Sequence, residues 1–183
     1  MSVETAMKTI GFNMRGDRQK DDYYATPSKA TDALLSVESF EGDIFEPCCG
    51  EGHISKRLIE RGYKVESSDL VDRGFGTPRR DFLFERETRD NIITNPPFKM
   101  ALSMAEHAQS IAKYKTALLL KITFLEGCAR AKFFKQHPPK RVWVFSKRLS
   151  LLKDGQSYNG GMMCLAWFVW ETGSTTAPQI GWL

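Results

Sequence analysis

The sequence is poor in groups suited to metal or triad chemistry. Its 183 residues include only four cysteines and three histidines. Cys48, Cys49, Cys128 and Cys164 form no C-x-x-C pair and no disulfide framework, so reduced, structural thiols are expected. His53, His107 and His137 are scattered and adjoin no carboxylate-and-nucleophile pattern; neither a metal site nor triad hydrolysis is expected. Long apolar runs are also missing. The longest, Met162 to Trp170, is too short to span a bilayer, and no apolar N-terminal stretch suggests a signal peptide. A soluble, cytoplasmic chain that makes no membrane contact is the expectation. With 42% hydrophobic and 26% charged residues, it can still bury a core.

Acidic residues are scarce in the second half. Residues 1–98 carry 14 basic and 18 acidic side chains, whereas residues 99–183 carry 12 basic and only 4 acidic. Such asymmetry suits a polyanion bound by one face, although a solvated basic surface would look the same.

Strand patterns alternate with helical ones. Residues 1–22 are polar and aperiodic and read as a flexible lead-in, leaving 23–183 as one domain. Thr26-Pro27-Ser28 opens a helix with Ala30, Ala33, Leu34, Leu35 and Val37 on its apolar face. Asp43 to Glu46 is a short strand stopped by Pro47, and Gly50-Glu51-Gly52 opens a helix with Ile54, Leu58 and Ile59 on one side. A second strand begins at Tyr63 and ends near Asp69; Asn91 to Thr94 is a third, broken by Pro96-Pro97. A helix from about Met100 to Lys113 precedes a strand at Ala117–Phe124, and a basic helix spans roughly Glu126 to Gln136. Val142–Phe145 and Met162–Trp170 are expected to pair as an antiparallel hairpin at one edge. The implied class is α/β, with a mainly parallel sheet.

In such sheets ligands gather beyond the carboxyl ends of the strands. Two glycines after the first strand, in Glu46-Pro47-Cys48-Cys49-Gly50-Glu51-Gly52, allow a ligand to approach the backbone at a helix N-terminus. The pattern is not G-x-G-x-x-G. Asp69 ends the second strand, where a carboxylate can take two ribose hydroxyls. Asp81 and Phe82 offer an acceptor for an amino group and a ring to lie against a base. After the third strand stands Asn95-Pro96-Pro97-Phe98, whose Asn and Phe a simple proline stop does not require.

Taken in order, Thr26-Pro27, E-P-C-C-G-E-G, Asp69, Asp81-Phe82 and N-P-P-F resemble the class I S-adenosylmethionine-dependent methyltransferases. Over about residues 22 to 171 the chain is more narrowly similar to the phage-type DNA N6-adenine methyltransferases. The resemblance implies a single-domain Rossmann-like methyltransferase fold. It also implies that Glu46, Pro47, Cys48, Gly50 and Gly52 hold the methionine part of S-adenosylmethionine, with help from Tyr24, Thr26 and Pro27. Asp69 would bind the ribose, and Asp81 with Phe82 the adenine. Cys48-Cys49 departs from the family, which often carries an aromatic residue there.

The residue types suit the implied chemistry. An adenine amino group is a weak nucleophile because its lone pair is delocalised into the ring. The Asn95 side-chain oxygen and the Pro96 carbonyl can accept its two hydrogens and favour a pyramidal nitrogen, while Pro97 stiffens the turn and Phe98 offers a stacking face. A base within a duplex must be flipped out, so the expected partner is duplex DNA with an extruded base, or single-stranded DNA. Lys99, Lys121, Arg130, Lys147, Arg148 and Lys153 are the candidate phosphate contacts, the last three at or after the fifth strand in a loop reaching Gly161. Neither Gly52–Asn95 nor the stretch after Trp170 has room for a target-recognition domain, so short or weak sequence preference is expected of a monomer or homodimer. Two other readings share these residues: transfer to an RNA base or a protein glutamine amide, and a non-catalytic nucleic-acid-binding module.

Overall fold

A computed structural model describes residues 23–149, 152–153, 156–157 and 163–183. The lead-in 1–22 lies outside the described residues, as does most of the 150–162 loop. In chain order the elements are α1 (Ser28–Val37), β1 (Ile44–Glu46), α2 (His53–Glu60), β2 (Val65–Ser67), β3 (Arg89–Thr94) and α3 (Ala101–Ile111). Then follow β4 (Ala112–Lys121), α4 (Cys128–Gln136), β5 (Arg141–Val144), the short pair β6 (Leu152–Lys153) and β7 (Gln156–Ser157), β8 (Leu165–Glu171) and β9 (Gln179–Trp182).

Seven strands form one sheet in the order β2-β1-β3-β4-β8-β5-β9. Only β8 runs against its neighbours. The antiparallel pairing of β5 with β8 follows the sequence pattern, but β8 lies between β4 and β5 rather than at an edge. The edge belongs to β9, which the sequence pattern does not mark: its Ile180 and Trp182 are exposed, so no buried alternation betrays it.

The apolar runs of β4 and β8 follow from two-sided burial. Ala117, Leu119, Trp167 and Val169 face a cluster shared with Ala30 and Leu34 of α1 and Ile54 and Leu58 of α2. Their alternates Leu118, Leu120, Ala166 and Phe168 face Ala101 and Ala105 of α3 and Phe133 of α4. Ile59, expected on the buried side of α2, is half exposed, because one step of 100° carries it off the Ile54–Leu58 stripe. Among the described residues no helix is long and apolar enough to cross a membrane. Because β1, β3, β4 and β5 share a direction, the turns after them open on one edge of the sheet, where the candidate residues collect.

Candidate active site

β1 delivers the chain to Pro47 and a tight turn. Gly50 and Gly52 adopt left-handed backbone, with φ of 54° and 81°, and Gly52 caps α2. The turn is fastened to the end of β2: Cys49 N–H donates to the Ser68 carbonyl (3.0 Å) and Gly50 N–H to Asp69 Oδ2 (2.8 Å). The other oxygen, Asp69 Oδ1, accepts from Val71 N–H (2.8 Å). A carboxylate has about four acceptor sites, so Asp69 can hold this corner and still accept from a diol.

A cavity of about 410 Å³ opens beside this corner. Of the candidates named from the sequence, Tyr24, Pro47, Cys48, Asp69, Asp81, Phe82, Asn95, Pro97 and Lys99 line it. Its wall also contains Tyr23, Leu70, Val71, Arg73, Arg80, Leu83, Met100 and Met104, which sequence reasoning missed. The apolar pair Leu70-Val71 directly after a strand-ending acid was a usable signal; nothing marked Arg73.

Several placements differ from expectation. The open faces of the glycines are filled by the protein itself: a Cβ on Gly50 would lie 2.2 Å from the Tyr23 ring, and one on Gly52 2.4 Å from the Phe75 ring. The Phe82 ring borders the cavity but is 3% exposed, being packed against Phe45 and His107. Leu70, Leu83 and Met104 are the apolar side chains around the cavity there. Asp81 Oδ1 accepts from Leu83 N–H (3.0 Å), capping the turn that carries Phe82. Thr26 is buried beneath the site, and Pro27 precedes α1 in extended backbone; neither lines the cavity.

Glu46 does not line this cavity either; with Thr26 it lines a much smaller one that shares Tyr23, Tyr24, Cys48 and Asn95 with the first. Glu46 is 1% exposed, and its Oε2 accepts from the Ser55 N–H (2.8 Å) and the Ser55 hydroxyl, tying β1 to the first turn of α2. Burial pushes its carboxyl up to about 8; the Ser55 bonds oppose this and the Asp69 charge adds to it. The folded chain therefore binds this proton more tightly than the unfolded chain, whose carboxyl titrates near 4.5. The associated stability is complete below that value and is lost as pH rises toward 8. Glu46→Gln should flatten that decline. Urea unfolding at pH 5 and pH 8 should show a wild-type loss of a few kcal/mol that the variant lacks; the same loss in both would clear Glu46 of the effect.

Burial also raises both adjacent thiols, Cys48 well above its ordinary range and Cys49 to about 12. A neutral thiol is a poor nucleophile, and Cys48 stands in the cavity wall in that form.

Asn95 leaves the end of β3 with its amide oriented. Its Nδ2 donates to the Tyr24 carbonyl (3.0 Å) and to Thr26 Oγ1 (3.0 Å). A backbone carbonyl can only accept, which fixes the nitrogen on that side and presents the amide oxygen as the side chain's acceptor. Pro96 is buried, and Phe98 lies outside the cavity, stacked on Tyr24 with ring centroids 6.1 Å apart. Lys121 Nζ stands 4.7 Å over the Phe98 ring. Arg130 is turned back, its Nε donating to the Glu126 carbonyl and its guanidinium 5.7 Å over Phe124. Lys147 and Arg148 are exposed after β5. Lys153 lies on β6, with its side chain outside the described residues.

No protein-family model matches the sequence, and no curated protein matches it. Solved structures do match. A protein of Pyrococcus horikoshii described as an RNA methyltransferase aligns with 93% of this chain and 98% of its own, with a TM-score of 0.63 at 15% identity. Magnesium protoporphyrin IX methyltransferase from Synechocystis PCC 6803 with bound S-adenosylmethionine covers 92% and 89%, at 0.55 and 15%. The modification subunit of a type I restriction enzyme from Vibrio vulnificus YJ016 matches at 0.59 and 10% identity, over 90% of this chain. The chain has the Rossmann-like methyltransferase fold. It spans about half the length of that modification subunit, 46%. Within this methyltransferase fold, the cavity and Asn95 both stand at the edge where the parallel strands end.

Proposed function

We propose that the protein is an S-adenosylmethionine-dependent methyltransferase acting on the N6 amino group of adenine in DNA, on an extruded or single-stranded base. The observation that carries this reading is Asn95. Its amide is held by the Tyr24 carbonyl and Thr26 hydroxyl at the rim of a cavity that also contains two carboxylates.

The residues fit such a cofactor. A cavity of about 410 Å³ is in the range of nucleoside-sized ligands. Asp69 retains acceptor capacity for ribose hydroxyls, Asp81 offers a carboxylate to the adenine amino group, and Leu70, Leu83 and Met104 supply apolar contacts. When bound, S-adenosylmethionine supplies an activated methyl group that a nitrogen lone pair can attack.

The protein's contribution is to hold the acceptor. The Asn95 oxygen and the Pro96 carbonyl accept the two amine hydrogens, which draws the nitrogen out of conjugation and aims its lone pair into the cavity. Two prolines keep that carbonyl from rotating away. Phe98, outside the cofactor cavity, stacked on Tyr24 and beside Lys121, offers the flipped base an aromatic edge. After transfer, one amine proton is released to water.

The choice of DNA rests on the Asn95–Phe98 tetrapeptide and on the basic edge, since methyltransferases of quite different substrates share the fold. Lys121 ends β4 and Lys99, Lys147 and Arg148 follow strands that end at this edge, and each phosphate they neutralise should steepen the salt dependence by about 0.9 log units. The test is to offer methyl-labelled cofactor with DNA, RNA and protein separately, then digest the products. N6-methyldeoxyadenosine from DNA is expected; label confined to RNA or protein would reject the reading.

A further inference from the structure

The Phe98 ring is already attended by the chain itself. It stacks with the Tyr24 ring at an interplanar angle of 26°, and Lys121 Nζ stands over it, 4.7 Å from the centroid. An ammonium within about 6 Å of a ring centroid is attracted by the negative face of the ring. Both residues belong to the edge where Asn95 stands. Lys121 is the last residue of β4, and Phe98 follows the end of β3, the strand that pairs with β4 and sets Thr94 opposite Leu118.

This contact sets Lys121 apart from the other lysines of its strand. Lys113 pairs with Asp90 (3.6 Å) and Lys115 with Glu38 (3.2 Å), whereas among the described residues no carboxylate pairs with Lys121. Its ammonium also fills a particular volume. Stacked rings set their centroids about 4.5–7 Å apart, so a base laid on that face of Phe98 needs the space in which Lys121 Nζ stands. While the lysine stays there, that face is closed to a base.

We infer that Lys121 holds the place of the acceptor base on Phe98 and yields it when the base enters, its ammonium passing to a phosphate beside the extruded nucleotide. The inference deepens the proposed function and rests on it. The flexible four-carbon stem lets the charge move while its backbone stays in β4. The exchange replaces a contact to a ring by a charge-assisted hydrogen bond, and the base covers the ring that the ammonium leaves. Base entry and phosphate contact are thereby coupled: a strand that offers phosphate without a base leaves the ring uncovered, and the ammonium stays on it.

Salt titrations of DNA binding, read by fluorescence anisotropy on the full chain with S-adenosylhomocysteine, test this coupling. The probes are a labelled oligothymidylate containing one adenine and the same strand with that adenine replaced by an abasic site. Wild type should bind the adenine strand more tightly, with a log–log salt slope steeper by about 0.7, the value for one further phosphate on a single strand. Lys121→Met should give the two strands equal slopes at the shallower value. Phe98→Leu, which removes the ring and frees the ammonium, should give them equal slopes at the steeper value. Equal slopes in wild type, or a difference that survives Lys121→Met, would overturn the role of Lys121. Equal affinity of wild type for both strands at every salt concentration would overturn the adenine-acceptor reading itself.

Discussion

Asn95→Ala should reduce methyl transfer roughly a thousandfold, the scale set by deleting a preorganised group that acts on the reacting atoms. Cofactor affinity should change by less than about threefold, under about 1 kcal/mol. The split follows from geometry. The amide nitrogen is used internally, by Tyr24 and Thr26, so the oxygen is what the side chain brings to the acceptor. Removing it leaves Asp69, Asp81 and the apolar wall untouched. Rates at saturating DNA, set beside calorimetric binding of S-adenosylmethionine, decide the matter. If affinity falls as steeply as rate, Asn95 is instead a brace for the Tyr24–Thr26 segment, and its assignment to the acceptor is wrong.

Gly50→Ala carries the second large effect, this time on cofactor binding. Gly50 sits at φ 54°, where a side chain costs about 1–2 kcal/mol. Its new Cβ would also meet the Tyr23 ring at 2.2 Å, so the ring must move, and with it the contact to Arg73. The Gly50 N–H bond to Asp69 would be strained at the same time. Gly62 provides the control. Its φ of 87° carries a similar backbone penalty, yet nothing lies within 4 Å of an added Cβ. Both alanine variants should lose about 1–2 kcal/mol of stability from backbone strain, and Gly50→Ala should lose more. Only Gly50→Ala should weaken S-adenosylmethionine, by about tenfold or more, or roughly 1.4 kcal/mol. Equal binding by the two variants would show that the roof over the turn is irrelevant to the cofactor.

Much of the frame was legible because burial writes itself into periodicity. Ala117–Leu120 and Leu165–Trp170 are apolar at every position, which is how a strand covered on both faces must read. The prolines after β1 and β3 marked strand ends, and a short polar residue with a planar amide just before one of them marked Asn95. The edge strand β9 was illegible for the converse reason. Its large side chains face solvent, so its pairing with β5 depends on backbone hydrogen bonds that any sequence can make.

Site residues divided along the same line. Asp69 and Asn95 were visible because each stands just after a strand, where the direction of the chain is known. Phe82 and Glu46 belong to neighbouring turns and strand ends, but nothing local says whether a ring or carboxylate there turns outward or inward. The structure turns both inward, Phe82 to Phe45 and His107, and Glu46 to Ser55.

By itself, then, the order of residues determined an α/β chain with its chemistry after the strands, because alternation, turn residues and strand ends are local properties. Only tertiary packing decided that β8 enters between β4 and β5, and that rings from two distant segments occupy the space the glycines leave. Those outcomes depend on which surfaces meet across the molecule. Tyr23 over Gly50 joins residues separated by a whole helix and strand, and no local rule reaches that far.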